Sequence, residues 1–476
     1  MSADPPKDTK KSLAARLLRP KVAIPLFLVF LILVSPLVIR GWFLRGVPNA
    51  PEPFDAQPLL DYSVPDDENA FNDYRMATSL YIQPTPELSQ LRDRISEQGW
   101  QLANDEVRQF LHDNEDALLA WKEGTQKDLA LYIPAEDYEI TTLLEVVQNM
   151  RELHRTAILI CKQLEAEGHY PQEAWYWYRA AVRASRHTGT HGCFIERLVG
   201  MALFQETASH LESWAAHPEL SGDDLRKAID QLQTDWQLTE KPSTALQIEY
   251  LTLEHTLENI SGELASELGA NSPMLNPKLM YFIGEPELSR RVARVYFRNQ
   301  LEFCDLHLYQ RPSTVGLMDL YDDPRAFKLS DGDTWDAEKF EAALSRATLA
   351  RWLLPATASV THAFDREAAR YRTLLVTLAG QAFRRDHGHF PKTLGELVPD
   401  YLDEIPLDNF DGKPLKYRFD PAGPVVYSVF QNLTDDGGLE WSHDSLPPGK
   451  NEPDDLGYQM RLPEAEPLPA PKPSPP

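Results

Sequence analysis

The chain has 476 residues, and its 72 acidic against 47 basic side chains give a net charge of −25 at neutral pH. A surface with this much negative charge repels the phosphate backbone of nucleic acids. We therefore expect no nucleic-acid partner. Three cysteines are too few for a disulfide framework. Either two of these cysteines form one disulfide bridge or, as we expect, they are thiols in the hydrophobic core.

The first element along the chain is an apolar segment that predicts a transmembrane helix. Fourteen of the eighteen residues from Val22 to Ile39 are Leu, Ile, Val or Phe, and none is charged. Together with the apolar residues after Arg40, segment 22–44 is long enough to cross a bilayer. Residues 1–21 form a leader with six basic and two acidic side chains, which the positive-inside rule keeps in the cytoplasm.

We therefore expect one uncleaved membrane anchor, with the bulk of the chain exported. The alternative is a cleaved secretory signal, which would need small residues in an A-x-A-like pattern soon after the apolar run. Pro48 and Ala50 are the nearest approach to such a pattern. The five prolines within residues 45–69 then predict an extended stalk that leaves the membrane.

Residues 70–364 predict one all-helical domain of about ten helices. The clearest helical pattern runs from Leu143 to Leu164, where apolar residues recur at intervals of three and four, and Gly168 and Pro171 end it. Further helices are predicted at 173–185, 194–216, 222–236, 242–267, 286–309 and 336–354, with a long loop at 310–334. Ser221 is the expected N-cap of the 222–236 helix.

One helix pair in this domain resembles a tetratricopeptide hairpin. The residues that fall near the packing positions of that repeat are Ile160, Cys161, Gly168, Tyr170, Ala174, Tyr178 and Ala181. The resemblance covers a single hairpin without a second copy at a 34-residue period, and an ordinary antiparallel helix pair is the alternative. The aromatic run from Trp175 to Tyr178 suits either core packing or a sugar or peptide groove. We expect the helical domain to bind protein partners.

From residue 365 to residue 462 the pattern changes to that of a small α+β module. A helix ends at Asp386, Gly388 and Pro391, and Thr393 with Glu396 predicts the capping box of a short helix. A turn at 408–412 precedes two alternating strands around a Pro-Ala-Gly turn, which predict a hairpin. A third strand is expected at 458–462. Residues 463–476 form a Pro-rich tail that we expect to be disordered.

These segments resemble, in order and spacing, the globular domain of the major, G-type pseudopilins of bacterial type II secretion. The matching pieces are FRRDHGHFP, TLGELVPDYL, LDNFDGKPLKYRF, YSVFQNLTDDGG and PDDLGYQMRLP. In that family the loop after the Tyr-Ser strand binds calcium. By position, the resemblance implies a calcium site formed by Asn432, Asp435, Asp436, Asp454 and Asp455.

The chemistry of these residues suits calcium, because the ion prefers six to eight oxygen ligands and a glycine-bent loop can supply them. The alternative is a solvated acidic loop. A pseudopilin carries its assembly helix at the N-terminus behind a Gly-directed cleavage site, whereas here more than 300 residues separate the anchor from the module. We therefore do not expect assembly into a fibre by that route.

We interpret two histidine-containing segments as structural features and not as metal sites. His187, His191 and Cys193 have a metal-like spacing, but no fourth ligand accompanies them, so we interpret the segment as a turn between helices. His387 and His389 flank a helix end, where cations interact well with the helix dipole. The sequence contains no G-x-S-x-G, HExxH, P-loop or G-x-G-x-x-G motif, and we name no catalytic residue.

The layout of the whole chain resembles membrane-anchored bacterial envelope proteins of unknown function. We therefore expect a single-pass protein of the bacterial inner membrane with its bulk in the periplasm, acting as a scaffold or interaction protein. One alternative is an envelope enzyme that acts on a cell-wall polymer. Another is an accessory component of a type II secretion-like machine.

Overall fold

The computed structural model describes residues 24–25, 34–35, 38–42, 44–138, 145–167, 170–258, 284–311, 327–328, 334–335, 337–354, 356–438 and 454–462. The leader, most of the predicted anchor and the predicted tail lie outside these residues. Within them, no helix combines the length and the apolar character needed to cross a membrane.

The chain divides into two compact units. The smaller consists of Met1–Pro51, Thr256–Tyr296 and Pro324–Leu354, and the larger of Glu52–His255, Phe297–Asp323 and Pro355–Pro476. Helices make up most of the described residues of both units, which confirms the mainly helical prediction. In chain order they are α1 Gln57–Leu60, α2 Ala70–Leu80, α3 Pro86–Gln98, α4 Asp105–Asp113, α5 Glu115–Gly124, α6 Glu145–Glu167, α7 Pro171–His187, α8 Phe194–Trp214, α9 Gly222–Trp236, α10 Pro242–Glu258, α11 Glu285–Phe303, α12 Ala337–Leu344, α13 Thr348–Leu353 and α14 Ala356–His387.

The smaller unit corrects one prediction, because segment 336–354 forms the two helices α12 and α13 instead of one. The break occurs where side chains of α11 bind the first N–H groups of α13. Glu285 Oε1 accepts from Leu349 N at 2.9 Å, and Ser289 Oγ accepts from Ala350 N at 3.0 Å. These side chains satisfy N–H groups that a continuous helix would bond internally. The unit also contains two short paired strands, β1 Phe327–Lys328 and β2 Thr334–Trp335.

Helix α14 is the central element of the larger unit. It packs against α8 and α9 and also against the C-terminal strands. Every residue from 373 to 383 is buried, so this stretch has no solvent-facing side. A Cβ at Gly380 would lie 2.3 Å from Met460 Sδ, so the Met460 side chain packs directly on this glycine and would have to move to admit a larger residue. The predicted domain boundary at residue 365 falls inside this continuous helix.

The C-terminal strands form one antiparallel sheet in the order β3-β4-β5. They are β3 Lys416–Arg418, β4 Val425–Ser428 and β5 Leu456–Gln459, which confirms the predicted hairpin. The third strand is present, but it begins two residues before the predicted 458–462 and ends at Gln459. All four residues of the central strand β4 are buried.

The predicted capping box at Thr393 is wrong. Residues Leu394–Leu397 form a single 3₁₀ turn, and the Thr393 side chain caps nothing. Glu396 Oε1 instead accepts from Lys392 N at 3.2 Å, because the tighter turn moves the carboxylate past the Thr393 N–H group. The capping box at Ser221 is present, with Asp224 as its acidic partner.

A buried carboxylate joins α7 to α9. Asp235 is fully buried, and its Oδ2 accepts from Arg179 Nε at 2.7 Å while its Oδ1 accepts from Arg183 Nη1 at 2.7 Å. Arg183 also forms an ion pair of 2.6 Å with Asp128, whose side chain is 76% exposed. The same guanidinium therefore has one buried and one exposed counter-ion.

We predict that Asp235→Asn lowers the free energy of unfolding of the larger unit by about 3–5 kcal/mol, because two guanidinium groups then lose their buried counter-charge. Asp128→Asn is the matched control and should cost less than about 1 kcal/mol, because solvent screens the pair. Urea denaturation at neutral pH, followed by tryptophan fluorescence, measures both. Equal losses in the two variants would contradict this account.

Buried histidines make the larger unit sensitive to acid. His154 and His187 are fully enclosed, and burial lowers the pKa of each imidazole to about 3. The partners of these rings are hydroxyl groups: Thr207 Oγ1 lies 3.1 Å from His154 Nε2, and Tyr74 Oη lies 2.6 Å from His187 Nδ1. Because the folded pKa lies below the unfolded value, these rings support stability above pH 6.5, and that support is lost as the pH falls.

We predict that His187→Gln reduces the dependence of the unfolding free energy on pH between 6 and 4.5. The expected reduction is about 1.4 kcal/mol per pH unit, since the unfolded chain then binds one proton fewer. Tyr74→Phe serves as the control: it removes the hydroxyl partner and lowers stability, but it keeps the pH slope because the ring stays buried. Urea denaturation at several pH values measures the slopes, and an unchanged slope in His187→Gln would refute the assignment.

Candidate functional site

Residues 429–438 and 454–455, here named the acidic loop, lie where strand β4 ends and strand β5 begins. Ser428 pairs with Leu456 in the antiparallel sheet, so the two chain segments lie side by side. This pairing brings all the predicted calcium ligands into one loop region. The intervening residues 439–453 lie outside the described residues.

Hydrogen bonds connect the predicted ligands across the two segments. Asp436 Oδ2 accepts from Asn432 Nδ2 at 2.7 Å and from Asp454 N at 3.0 Å. Asp455 Oδ2 accepts from Gly438 N at 2.7 Å. Asp435 Oδ1 accepts from Tyr427 Oη at 2.9 Å. Asn432, Asp436 and Asp454 are therefore bonded to one another, whereas these bonds link Asp455 to Gly438 and Asp435 to Tyr427.

The backbone of the loop turns through left-handed conformations. Gly437 and Gly438 have φ of 74° and 75°, values that glycine adopts without steric cost. Phe430 has φ of 46°, which is uncommon for a residue with a side chain. Its ring is buried and meets the Phe410 ring edge-on, with the centroids 5.0 Å apart. Packing of the ring thus stabilises the strained conformation.

Asp408 fixes the start of the acidic loop. Its side chain is buried, Oδ1 accepts from Ser428 Oγ at 2.8 Å, and Oδ2 accepts from Val429 N at 2.8 Å. The sequence predicts a turn here, which the bond from Gly412 N to Asp408 O at 2.9 Å confirms. Sequence reasoning missed the role of the side chain, because nothing in the turn pattern shows that it reaches β4.

Asp455 has the least favourable environment for a carboxylate in the loop. It is 1% exposed, and its Oδ1 atom is buried with no hydrogen-bond partner among the described residues. Burial raises the pKa of Asp455 to about 6, and the negative charges of Asp436 and Asp435 contribute to the rise. Burial and Asp436 likewise raise the pKa of Asp454, against the opposing charge of Arg366. A cation would relieve this desolvation and repulsion.

The five predicted ligands carry the oxygen atoms that calcium prefers, but these oxygen atoms do not converge on one point. Four carboxylates and one amide supply hard oxygen ligands of the type that calcium prefers. Among the residues described, no group of three or more His, Cys, Asp or Glu is positioned to hold a metal ion. Binding would require Asp436 to exchange its bond to Asn432 for the cation. The buried Asp455 Oδ1, which has no partner in the described part of the loop, is the atom that such a cation would satisfy.

The histidines of the HTGTHGC segment have separate partners. His187 contacts Tyr74, as described above. His191 Nδ1 lies 2.5 Å from Glu240 Oε1, and its ring stacks on Tyr62 with the centroids 3.7 Å apart. Cys193 is the N-cap of α8, and its N–H donates to Glu196 Oε2 at 3.1 Å. The structure therefore agrees with the interpretation of this segment as a turn between helices.

The aromatic run on α7 is divided by the helical period. Trp175 and Tyr178 are buried, whereas Tyr176 is 49% exposed. Tyr176 lines a groove of about 370 Å³ whose other lining residues are Leu119, Lys122, Glu123, Gln126, Arg179, Ala180 and Arg183. The Lys122 ammonium lies 4.3 Å from the centroid of the Trp177 ring. The aromatic run therefore contributes Trp175 and Tyr178 to the core and Tyr176 to a surface groove.

No protein-family model, curated protein or solved structure matches this chain. The resemblance of residues 365–462 to pseudopilins accordingly remains one of sequence pattern.

Proposed function

We propose that this protein is a membrane-anchored scaffold of the bacterial inner membrane whose periplasmic part binds protein partners and whose acidic loop binds one calcium ion. The observation that carries the calcium proposal is the buried Asp455 carboxylate, whose Oδ1 has no partner among the described residues, within a loop of four carboxylates. Calcium would connect the end of β4 to the start of β5 and stabilise the sheet edge.

The groove between α5 and α7 supports the scaffold proposal. Its volume of about 370 Å³ suits a few side chains of a partner segment. Leu119 and Tyr176 expose apolar surface at the groove, and Lys122 offers an ammonium group that forms no ion pair with a described carboxylate. These features match a partner segment that carries an acidic residue beside an apolar one.

The carboxylates described here favour the scaffold over the envelope enzyme. Glycoside hydrolysis needs two carboxylates that face one cleft. Among the described residues, Glu123 is the one carboxylate that lines the 370 Å³ groove. A second cavity, of about 260 Å³, contains Glu258 and Glu287, but both form ion pairs with Arg290.

We predict that calcium raises the melting temperature of the full chain relative to excess chelator. At a hundred times the dissociation constant, the stabilisation would be about 2.7 kcal/mol. Asp455→Asn should abolish this rise. In chelator the same variant should melt higher than the natural chain, because it removes a desolvated charge and keeps an acceptor for Gly438 N.

The control for this experiment is the double variant Asp403→Asn, Glu404→Gln. Both side chains are exposed and lie in the same C-terminal region, so the variant removes more charge without touching the loop. It should keep the calcium-induced rise. Differential scanning fluorimetry together with calcium titration calorimetry gives both stability and stoichiometry. A natural chain that binds no calcium would refute the calcium proposal.

We predict that the chain stays in the membrane fraction after carbonate extraction, and that deletion of residues 22–44 releases it. Alkaline phosphatase fused after residue 476 should be active, since that enzyme folds only outside the cytoplasm. Replacement of the six basic leader residues by glutamate is the orientation test and should lower the phosphatase activity. An inactive fusion to the natural chain would contradict the proposed topology.

A further inference from the structure

A cluster of arginines surrounds Glu367 on helix α14. Glu367 is 4% exposed, and its Oε1 accepts from Arg186 Nη2 of α7 at 2.5 Å. Its Oε2 accepts from Arg197 Nη2 of α8. The Glu367 carboxylate therefore forms ion pairs with two buried guanidinium groups. Its single negative charge does not neutralise any further arginine.

Two more arginines, Arg366 and Arg370, lie four residues apart on the same helix. Like charges at this spacing repel each other. Neither forms an ion pair with a carboxylate in the described parts of the chain. The Nε atom of Arg370 is buried and has no hydrogen-bond partner there. Arg366 lies 5.5 Å from the centroid of the Phe430 ring, and Asp454 acts on its charge only at longer range.

Both arginines line a cavity of about 150 Å³ between α8 and α14. Glu367 and Gln205 are its other polar lining residues, and Leu198, Met201 and Phe204 provide much of the apolar wall. The cavity reaches solvent beside Arg366, which is exposed. It is smaller than the pockets of drug-sized ligands, which begin at about 300 Å³, so its ligand has to be compact.

The charges around the cavity do not balance. Arg186 and Arg197 share the single charge of Glu367, and the lining residues Arg366 and Arg370 form no ion pair with a described carboxylate. Positive charge is therefore in excess beside the cavity, although the whole chain has a net charge of −25. Burial, partly offset by Glu367 and reinforced by Arg197, lowers the pKa of Arg186 to about 10. Desolvation and the neighbouring Arg370 also lower the pKa of Arg366. Positive charge removed from water is costly unless an anion accompanies it. This applies to Arg370, whose Nε is buried, and less to Arg366, which is exposed.

We propose that the cavity between α8 and α14 binds a phosphoryl dianion, either inorganic phosphate or the terminal phosphate of a small phosphomonoester. Arg366 and Arg370 would hold it through the planar N–H pairs that match phosphate oxygens. The Gln205 amide supplies a further donor at the wall. A dianion neutralises the excess positive charge better than a carboxylate, which carries a single negative charge. This site uses none of the five proposed calcium ligands, although Arg366 also acts on the charge of Asp454.

The test is equilibrium dialysis of the full chain with radiolabelled phosphate, in excess chelator so that calcium plays no part. We expect one phosphate per chain, with binding at least tenfold weaker in Arg370→Gln and in Arg366→Gln, as loss of a charged hydrogen bond implies. The control is Arg94→Gln, which removes an exposed arginine of α3 and should bind phosphate as the natural chain does.

Melting temperatures in phosphate-free buffer separate lost binding from lost folding. Arg370→Gln should melt no lower than the natural chain, because it relieves the repulsion with Arg366. Glycerol 3-phosphate and acetate, at matched ionic strength, are the competitors. Displacement by glycerol 3-phosphate more strongly than by inorganic phosphate would assign the site to a monoester, and the reverse to the free ion. Absence of phosphate binding, equal binding by the arginine variants or equal competition by acetate would overturn the proposal.

Discussion

The larger unit depends on α14 being buried on all sides over residues 373 to 383. Helices α8 and α9 cover one side, and strands β4 and β5 cover another. The polar residues within this stretch bind nearby carbonyl groups: Thr373 and Thr377 donate to carbonyls four residues earlier, and Gln381 Nε2 donates to Arg461 O at 2.7 Å. The helix can therefore pack between the helices and the sheet while the buried hydroxyl groups of both threonines stay hydrogen-bonded.

The position of the acidic loop follows from this helix. Because β4 and β5 pack on α14, the ends of the two strands are held at a fixed place on its surface. Asp408 then ties the first residue after β4, and the Phe430 ring packs beneath the loop. The loop is thus placed by the sheet and by one buried carboxylate, and its own charges oppose its folding.

Charge is distributed unevenly in this protein. The acidic excess of the whole chain contrasts with an interior in which arginines outnumber their partners around Glu367. Around Asp235 the buried carboxylate binds two arginines, but the exposed Asp128 provides a second negative charge. Arg366 also opposes the rise in the pKa of Asp454, so the arginine cluster and the acidic loop act on each other through this one residue.

The sequence by itself determined the helices and strands whose signals are local. Helices α7 and α9 begin and end within two residues of the predicted bounds, because apolar periodicity lies inside the segments and Ser221 caps α9 directly before its first residue. The hairpin of β3 and β4 and the end of α14 before Gly388 have equally local signals. The break between α12 and α13 could not be predicted, because its cause is the side chains of α11.

The candidate sites show the same division. The sequence identified the five loop residues through resemblance, but only the pairing of Ser428 with Leu456 brings the two segments together. It did not indicate which carboxylate is buried without a partner, since burial depends on the packing around Asp455. The arginine cluster was invisible in the sequence, because Arg186 and Glu367 are 181 residues apart. Local periodicity fixes elements, whereas contacts between distant side chains, and the charge imbalance they create, exist only in the folded chain.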